Sequence, residues 1–241
     1  MDIELEVLKA DSLKDMFVKK FEGLIISGKI TIGEQLPPER EIASQMGISR
    51  TIVHSGLIEL AAKGLISIYP RKGTVVNDYR TGGTLSILNS LMNYDEGEFD
   101  EKILNSIIDT RYLIETENSR LAALNRNEND LSELAKILDE ENKVNYEDIE
   151  LIIDTDFKFH HQISMATGNM IYPLIIKSFE PVYKNLTARF FRNKLVIPTV
   201  FTFHKELYSA IERRSSKEAA LIMIKLLKHG EECLRDNLKK E

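Results

Sequence analysis

The sequence predicts a mainly α chain in two parts: an N-terminal unit of three helices closed by a β-hairpin, and a C-terminal all-helical bundle. Three observations predict it. Residues 36–60 read as two short helices joined by a tight turn. Two short strand-like runs follow, wrapped around a basic turn. From about residue 84 onward the apolar periodicity is helical, with no convincing strand. The 241 residues are enough for two ordinary domains, and 43% hydrophobic with 29% charged residues supply a core and argue against wholesale disorder.

The first helix is predicted over 11–28, with Leu13, Met16, Phe17, Phe21, Leu24 and Ile25 on one side and Gly28 ending it. Pro37 and Pro38 lead into the second, where a missing N–H costs nothing. Ile42, Ala43 and Met46 give that helix an apolar face, and Gly47 supplies the turn. Ser49 stands at the N-cap of the third helix. There Val53, Leu57 and Leu60 follow i, i+4, i+7 and must face inward, leaving Arg50, Thr51, His54 and Ser55 outward. A short helix with a cation in its first turn and small polar side chains behind it fits a DNA major groove, which makes the pair a helix-turn-helix. Gly56 inside it costs about 1 kcal/mol against Ala, so close packing is expected there. Leu65–Tyr69 and Thr74–Asn77 read as a hairpin whose tip carries Arg71, Lys72 and Gly73, a wing placed to meet phosphates. Residues 78–84, polar with paired glycines, read as a linker between a domain at 1–77 and one at 85–241. In the second domain helices are expected at about 84–93, 99–125, 128–141, 147–167, 170–192, 199–213 and 216–239, with the acidic stretch from Tyr94 to Glu101 a solvated loop. Ser215 and Glu218 form a capping box for the last helix.

From Ile25 to Val76 the chain resembles the winged-helix domain of the GntR family of bacterial transcription regulators. The residues that carry the likeness are I-x-x-G-x-I-x-x-G-E-x-L-P-P-E-R-E-I-A, G-I-S-R, L-x-x-L-x-x-K-G-L-I and G-T-x-V. The resemblance implies a winged helix-turn-helix binding double-stranded DNA. It places Arg40, Arg50 and His54 at the family's DNA-contacting positions, with Thr51 beside them and Arg71, Lys72 and Gly73 at the wing. Two residues depart from the pattern: His54 stands where Arg is common, and Arg71 where Gly is common. Both put any known operator sequence in doubt.

In the helical part, Asp156 and His160 are four apart and share one helix face. His204 and His229 lie roughly 16 and 21 Å from the turn between the last two helices, so an antiparallel hairpin brings them to one level. Asp plus three His on three helices suits a divalent transition metal; imidazole favours zinc, nickel, copper or iron, and the carboxylate widens this to manganese. Spacing alone leaves core histidines as an equal alternative, and His161 points about 100° away. This part resembles the FCD ligand-binding domain of the FadR subfamily, through D-x-x-x-H at Asp156–His160, I-x-x-A-x-G-N at Ile163–Asn169 and H-x-x-L-x-x-A-I at His204–Ile211. The resemblance implies a metal held by Asp156, His160, His204 and His229, zinc first, then nickel, manganese or iron. It also implies a small carboxylate effector completing the coordination, and it argues against the branch that binds fatty acyl-CoA without a metal. R-x-x-x-E followed by alanines matches Arg111, Glu115 and Ala122-Ala123; Arg111 is either a ligand-site residue or Glu115's salt-bridge partner, and the two readings are compatible.

The net charge of −6 falls wholly on residues 81–241, because the first 80 residues carry equal numbers of acids and bases. A local basic face on the first part can still meet phosphates. One cysteine, Cys233, excludes an intrachain disulfide. No apolar run approaches a membrane span and no signal-peptide layout opens the chain, so a cytoplasmic protein is expected. The reading is a regulator acting as a homodimer on a palindromic operator. The alternatives are a DNA-binding protein with a purely structural metal and no effector, or a metal-dependent enzyme, for which no clear acid/base partner is found.

Overall fold

The computed structural model describes residues 12–84, 87–88, 90 and 101–238, in two compact units that divide between Asp100 and Glu101. In the first unit, helix α1 (Leu13–Ile26) starts at Ser12, whose hydroxyl accepts from the Asp15 amide at 3.2 Å while the Asp15 carboxylate accepts in return from the Ser12 amide and hydroxyl. Phe17, Val18, Phe21 and Ile25 are buried. Leu13 and Met16, expected on that stripe, are exposed; the stripe is rotated by about one residue, and Val18 and Glu22 take their place. Glu22 is tolerated inside because Lys63 donates to it at 2.6 Å.

Helix α2 (Glu39–Met46) follows Pro38 and closes on Gly47, whose φ of 65° is the left-handed value that favours glycine. Ile42 and Ala43 are buried, whereas Met46 is exposed. Helix α3 (Arg50–Ala62) starts at Ser49, which accepts from the Ile52 amide at 3.3 Å. Val53, Leu57 and Leu60 are buried as their spacing requires. A Cβ on Gly56 would lie 2.2 Å from Phe17 Cδ1, so glycine is what lets α1 pack so closely on α3. Strands β1 (Ile66–Tyr69) and β2 (Gly73–Val76) pair antiparallel, Ile66 opposite Val76 and Tyr69 opposite Gly73. The segment before α2 runs along β2: Leu36 N–H donates to Thr74 O and Gly33 N–H to Val76 O, both at 2.8 Å.

The expected linker carries regular structure. A single helical turn, α4 (Tyr79–Gly82), is capped by Asp78, and the Thr84 amide donates to Lys63 O at 3.2 Å. A Cβ on Gly64 would meet Gly82 O at 2.0 Å, so this stretch lies directly on the winged unit. Ile87 is buried in the same core. The rest of the helix expected near 84–93, and nearly all of the acidic loop, fall outside the described residues.

Every regular element among the described residues of the second unit is helical: α5 (Glu101–Asn125), α6 (Glu128–Lys143), α7 (Ile149–Met165), α8 (Tyr172–Ser178), α9 (Glu180–Phe190), α10 (Ile197–Glu212) and α11 (Ser216–Leu238), with a 3-10 turn at Lys194–Val196. The single helix expected over 170–192 is two. Pro181 lies in the first turn of α9, where its missing N–H costs nothing, whereas inside a continuous helix it would lose a hydrogen bond and its ring would crowd the Lys177 carbonyl. Ser215 precedes α11, and Glu218 bonds it while also pairing with Arg213 at 3.0 Å. The core is a layer of Leu, Ile, Val and Phe from α6, α7, α10 and α11 around Phe159 and Phe191. Two arginines tie helix ends together: Arg126 donates to Glu212 O and Arg214 to Leu124 O, each at 2.7 Å, so cations satisfy carbonyls that have no partner within their own helices.

Candidate functional site

In the first unit, the outward side of the helix pair presents Arg50, Thr51 and His54 from α3 and Arg40 from α2, all exposed. Arg71, Lys72 and Gly73 are exposed at the hairpin tip, between Tyr69 and the start of β2. Arg71 sits at φ 64°, the left-handed region, which accounts for glycine being the easier residue there. Gly73 has φ 102°, and Gln35 Nε2, donating to Lys72 O at 2.7 Å, fills the space where a Cβ would stand. Glu39 joins this face. Its carboxylate accepts from Arg50 Nε at 3.2 Å and lies 2.8 Å from His54 Nδ1. The hydrogen bond from His54, then the one from Arg50, hold its carboxyl below the usual carboxylate value against the effect of burial.

In the second unit, Asp156 and His160 on α7 and His204 on α10 converge, with one ligand atom from each lying within 4.8 Å of the others. All three are buried. Asp156 Oδ2 accepts from the Tyr183 hydroxyl on α9 at 2.5 Å. His204 Nδ1 meets Glu141 Oε1 of α6 at 2.6 Å, and Phe159 stacks on its ring at 4.1 Å. Its Nε2 is 3.5 Å from Asp156 Oδ1 but has no hydrogen bond of good direction. His160 Nδ1 lies against Glu115 Oε2, again without a well-directed bond. Arg111 donates Nε to Glu115 Oε1 at 2.6 Å and lies 4.6 Å over the Tyr183 ring.

Charges decide the protonation of this group. Burial would raise the Glu115 carboxyl, but the charge of Arg111, then that of His160, and the hydrogen bond from Arg111 outweigh it and hold it at about 2. Burial would lower His204, but the charge and hydrogen bond of Glu141, then the charges of Asp156 and Glu115, raise it. Burial, then the Asp156 charge, push the Tyr183 hydroxyl well above its ordinary value.

These donors fit a divalent cation. A carboxylate and two imidazoles are transition-metal ligands. A carboxylate on Nδ1 fixes the His204 tautomer and leaves the Nε2 lone pair for a metal. The buried, unbonded Nε2 is what such a ligand atom looks like.

His229 is not brought to this group. Its ring lies 6.2 Å from Phe190 and 6.1 Å from Phe203, with Cys233 Sγ 3.8 Å from Nδ1. Helix α11 turns Leu226, Leu227 and Gly230 toward the cleft beside Asp156 and His160 instead. Spacing from the turn fixed the height of His229 along its helix and left its rotation open. Without it, the argument for the metal-containing branch rests on three residues. Glu141 and Tyr183 were not anticipated. Glu141 had a signal: it continues the buried stripe Leu131, Leu134, Leu138, and an acid on an apolar stripe needs a buried partner. Two small clefts flank the group and share Arg111, His160, Tyr183 and Leu186; their remaining walls are mostly Ile, Leu, Val and Phe.

Comparison with known proteins adds to this geometry. The model of the FadR C-terminal domain matches residues 77–239, and that of the bacterial regulatory proteins of the gntR family matches residues 13–76. Curated relatives are called fatty acid metabolism regulator protein. That of Shewanella frigidimarina is 26% identical over 220 residues, covering 90% of each chain. That of Proteus mirabilis is 26% identical over 211 residues, covering 88% of this chain and 86% of its own. Among solved structures, Lar, which controls expression of the Listeria monocytogenes agr system, is similar in fold, with a TM-score of 0.66 at 18% identity over 95% of this chain and 99% of its own. E. coli McbR/YncC gives a TM-score of 0.54 at 18% identity over 94% and 99%.

Proposed function

The chain belongs to the gntR family of bacterial regulatory proteins and carries a FadR C-terminal domain, and from that premise we propose that its operator affinity is set by a small organic acid bound at a divalent-metal site of Asp156, His160 and His204. It is a DNA-binding transcription regulator and not an enzyme, as its family is. Arg40, Arg50, Thr51 and His54 enter the major groove, and Arg71, Lys72 and the Gly73 backbone meet phosphates. Two copies bind a palindromic operator with half-sites about one helical turn apart.

The observation that supports the metal reading is His204, buried, held at Nδ1 by Glu141 and unbonded at Nε2. Bound there, a divalent cation, zinc first and then nickel, manganese or iron, supplies open coordination positions for carboxylate oxygens. Arg111 uses Nε on Glu115, which leaves its two terminal nitrogens to pair with the same acid. An effector must bind two arrangements of the regulator with different affinity to change operator binding.

Elemental analysis of full-length protein purified without chelator tests this. The expected result is about one divalent metal per chain, lost in His204→Ala and retained in His229→Ala. A metal-free wild type would reject the metal and leave the DNA-binding function untouched.

A second reading has support of its own. The clefts have largely apolar walls, and the curated relatives are named as fatty acid metabolism regulators. In that reading the effector is an acyl chain and the three residues are metal-free polar packing. Release from the operator by a long-chain acyl thioester, from protein that holds no metal, favours it; release by short carboxylates from metal-loaded protein favours the first.

A further inference from the structure

Glu39 does more than fill the start of α2. It lies beneath two residues of α3 that are four apart on its outward face, with its own side chain 25% exposed against 73% for Arg50 and 57% for His54. One carboxylate oxygen takes Arg50 Nε and the other meets His54 Nδ1. An ionised carboxylate accepts hydrogen bonds and donates none. The proton in the Glu39–His54 contact therefore sits on Nδ1. In a neutral imidazole with Nδ1 protonated, Nε2 is a bare acceptor, and it is the nitrogen left for DNA. In the major groove an acceptor pairs with the amino group of cytosine or adenine, whereas guanine and thymine offer O6, N7 and O4, which are acceptors themselves. Arginine at the same place would read guanine. Arg50, anchored through Nε, keeps its two terminal nitrogens as a fork for guanine O6 and N7.

We propose that Glu39 sets the base preference of this regulator: by holding the Nδ1 proton it makes His54 a reader of a cytosine or adenine amino group, beside a guanine read by Arg50. The proposal rests on α3 being the recognition helix.

The test is binding-site selection from a randomised duplex library by the full-length protein at about pH 8, above the ordinary imidazole pKa of about 6.5. The wild type should select cytosine or adenine at one position of each half-site, where His54→Arg selects guanine. Glu39→Ala should weaken that preference roughly fivefold to tenfold and leave the other positions in place. Guanine or thymine at the wild-type position, or a preference unmoved in Glu39→Ala, overturns the proposal. If Arg50→Ala and His54→Ala both select the wild-type site at full affinity, the recognition-helix reading itself falls. Nitrogen-15 spectra of the His54 ring give a check that needs no variant: the Nδ1-protonated tautomer is expected in the free protein, and the Nε2-protonated form overturns the proposal.

Discussion

Glu141 is the residue on which the buried polar group depends. It and His204 are almost fully buried and 2.6 Å apart. Truncating Glu141 leaves the His204 Nδ1–H buried without an acceptor, which costs about 1–3 kcal/mol. Glu141→Ala should therefore lower stability by that amount in urea denaturation, and Glu141→Gln, which keeps an acceptor, by less. A metal at the site should also bind about 10–100-fold more weakly in Glu141→Gln, because His204 loses the partner that orients it; unchanged metal affinity would show that Glu141 is a structural partner only. Glu39 allows a prediction in acid. Its carboxyl is lowered by His54 and then Arg50, so the stabilisation it gives is full above the ordinary value of 4.5 and is lost as pH falls through the lowered one. For a surface group this is about 0.5 kcal/mol. The carboxyl carbon of Glu39, followed by NMR, should titrate below 4.5 in the wild type and move up toward that value when His54 and Arg50 are both alanine.

Between elements, the contact of α1 with α3 is set by the absence of a side chain at Gly56. Helix propensity alone favours Ala there by about 1 kcal/mol. The added Cβ would fall 2.2 Å from Phe17 Cδ1, and overpacking costs about 1–3 kcal/mol. Gly56→Ala should lower the melting temperature; a rise would mean that the Phe17 ring swings aside without loss. The wing carries the opposite case. Arg71 holds a left-handed backbone at a cost of about 1–2 kcal/mol relative to glycine. Arg71→Gly should gain stability while weakening operator binding, with a salt dependence shallower by about one unit of log–log slope if Arg71 meets a phosphate. An unchanged slope would place that side chain away from DNA.

At the scale of the whole molecule, the proposed DNA-reading face and the proposed effector site belong to separate compact units with separate cores. Arg50→Ala should thus abolish operator binding while leaving the fold and any bound metal intact, as seen by circular dichroism and elemental analysis. Near-wild-type operator affinity would remove α3 from the groove.

Much of the first unit was legible because its information is local. The cap at Ser49, the turn at Gly47 and the inward set Val53, Leu57 and Leu60 follow from residue types at fixed offsets, and that inward set dictates which side chains of α3 face out. The same rule paired Asp156 with His160. Where the rule met packing it slipped: Leu13 and Met16 are exposed, and the helix over 170–192 breaks at Pro181. The sequence by itself thus determined the class of fold, the outward face of α3 and the i, i+4 pair on α7. The tertiary structure alone decided that Glu141 and Tyr183 join that pair with His204, and that His229 does not. Offsets along a chain set the height and face of a residue on its own helix, whereas the rotation of one helix against another is fixed only when both are packed.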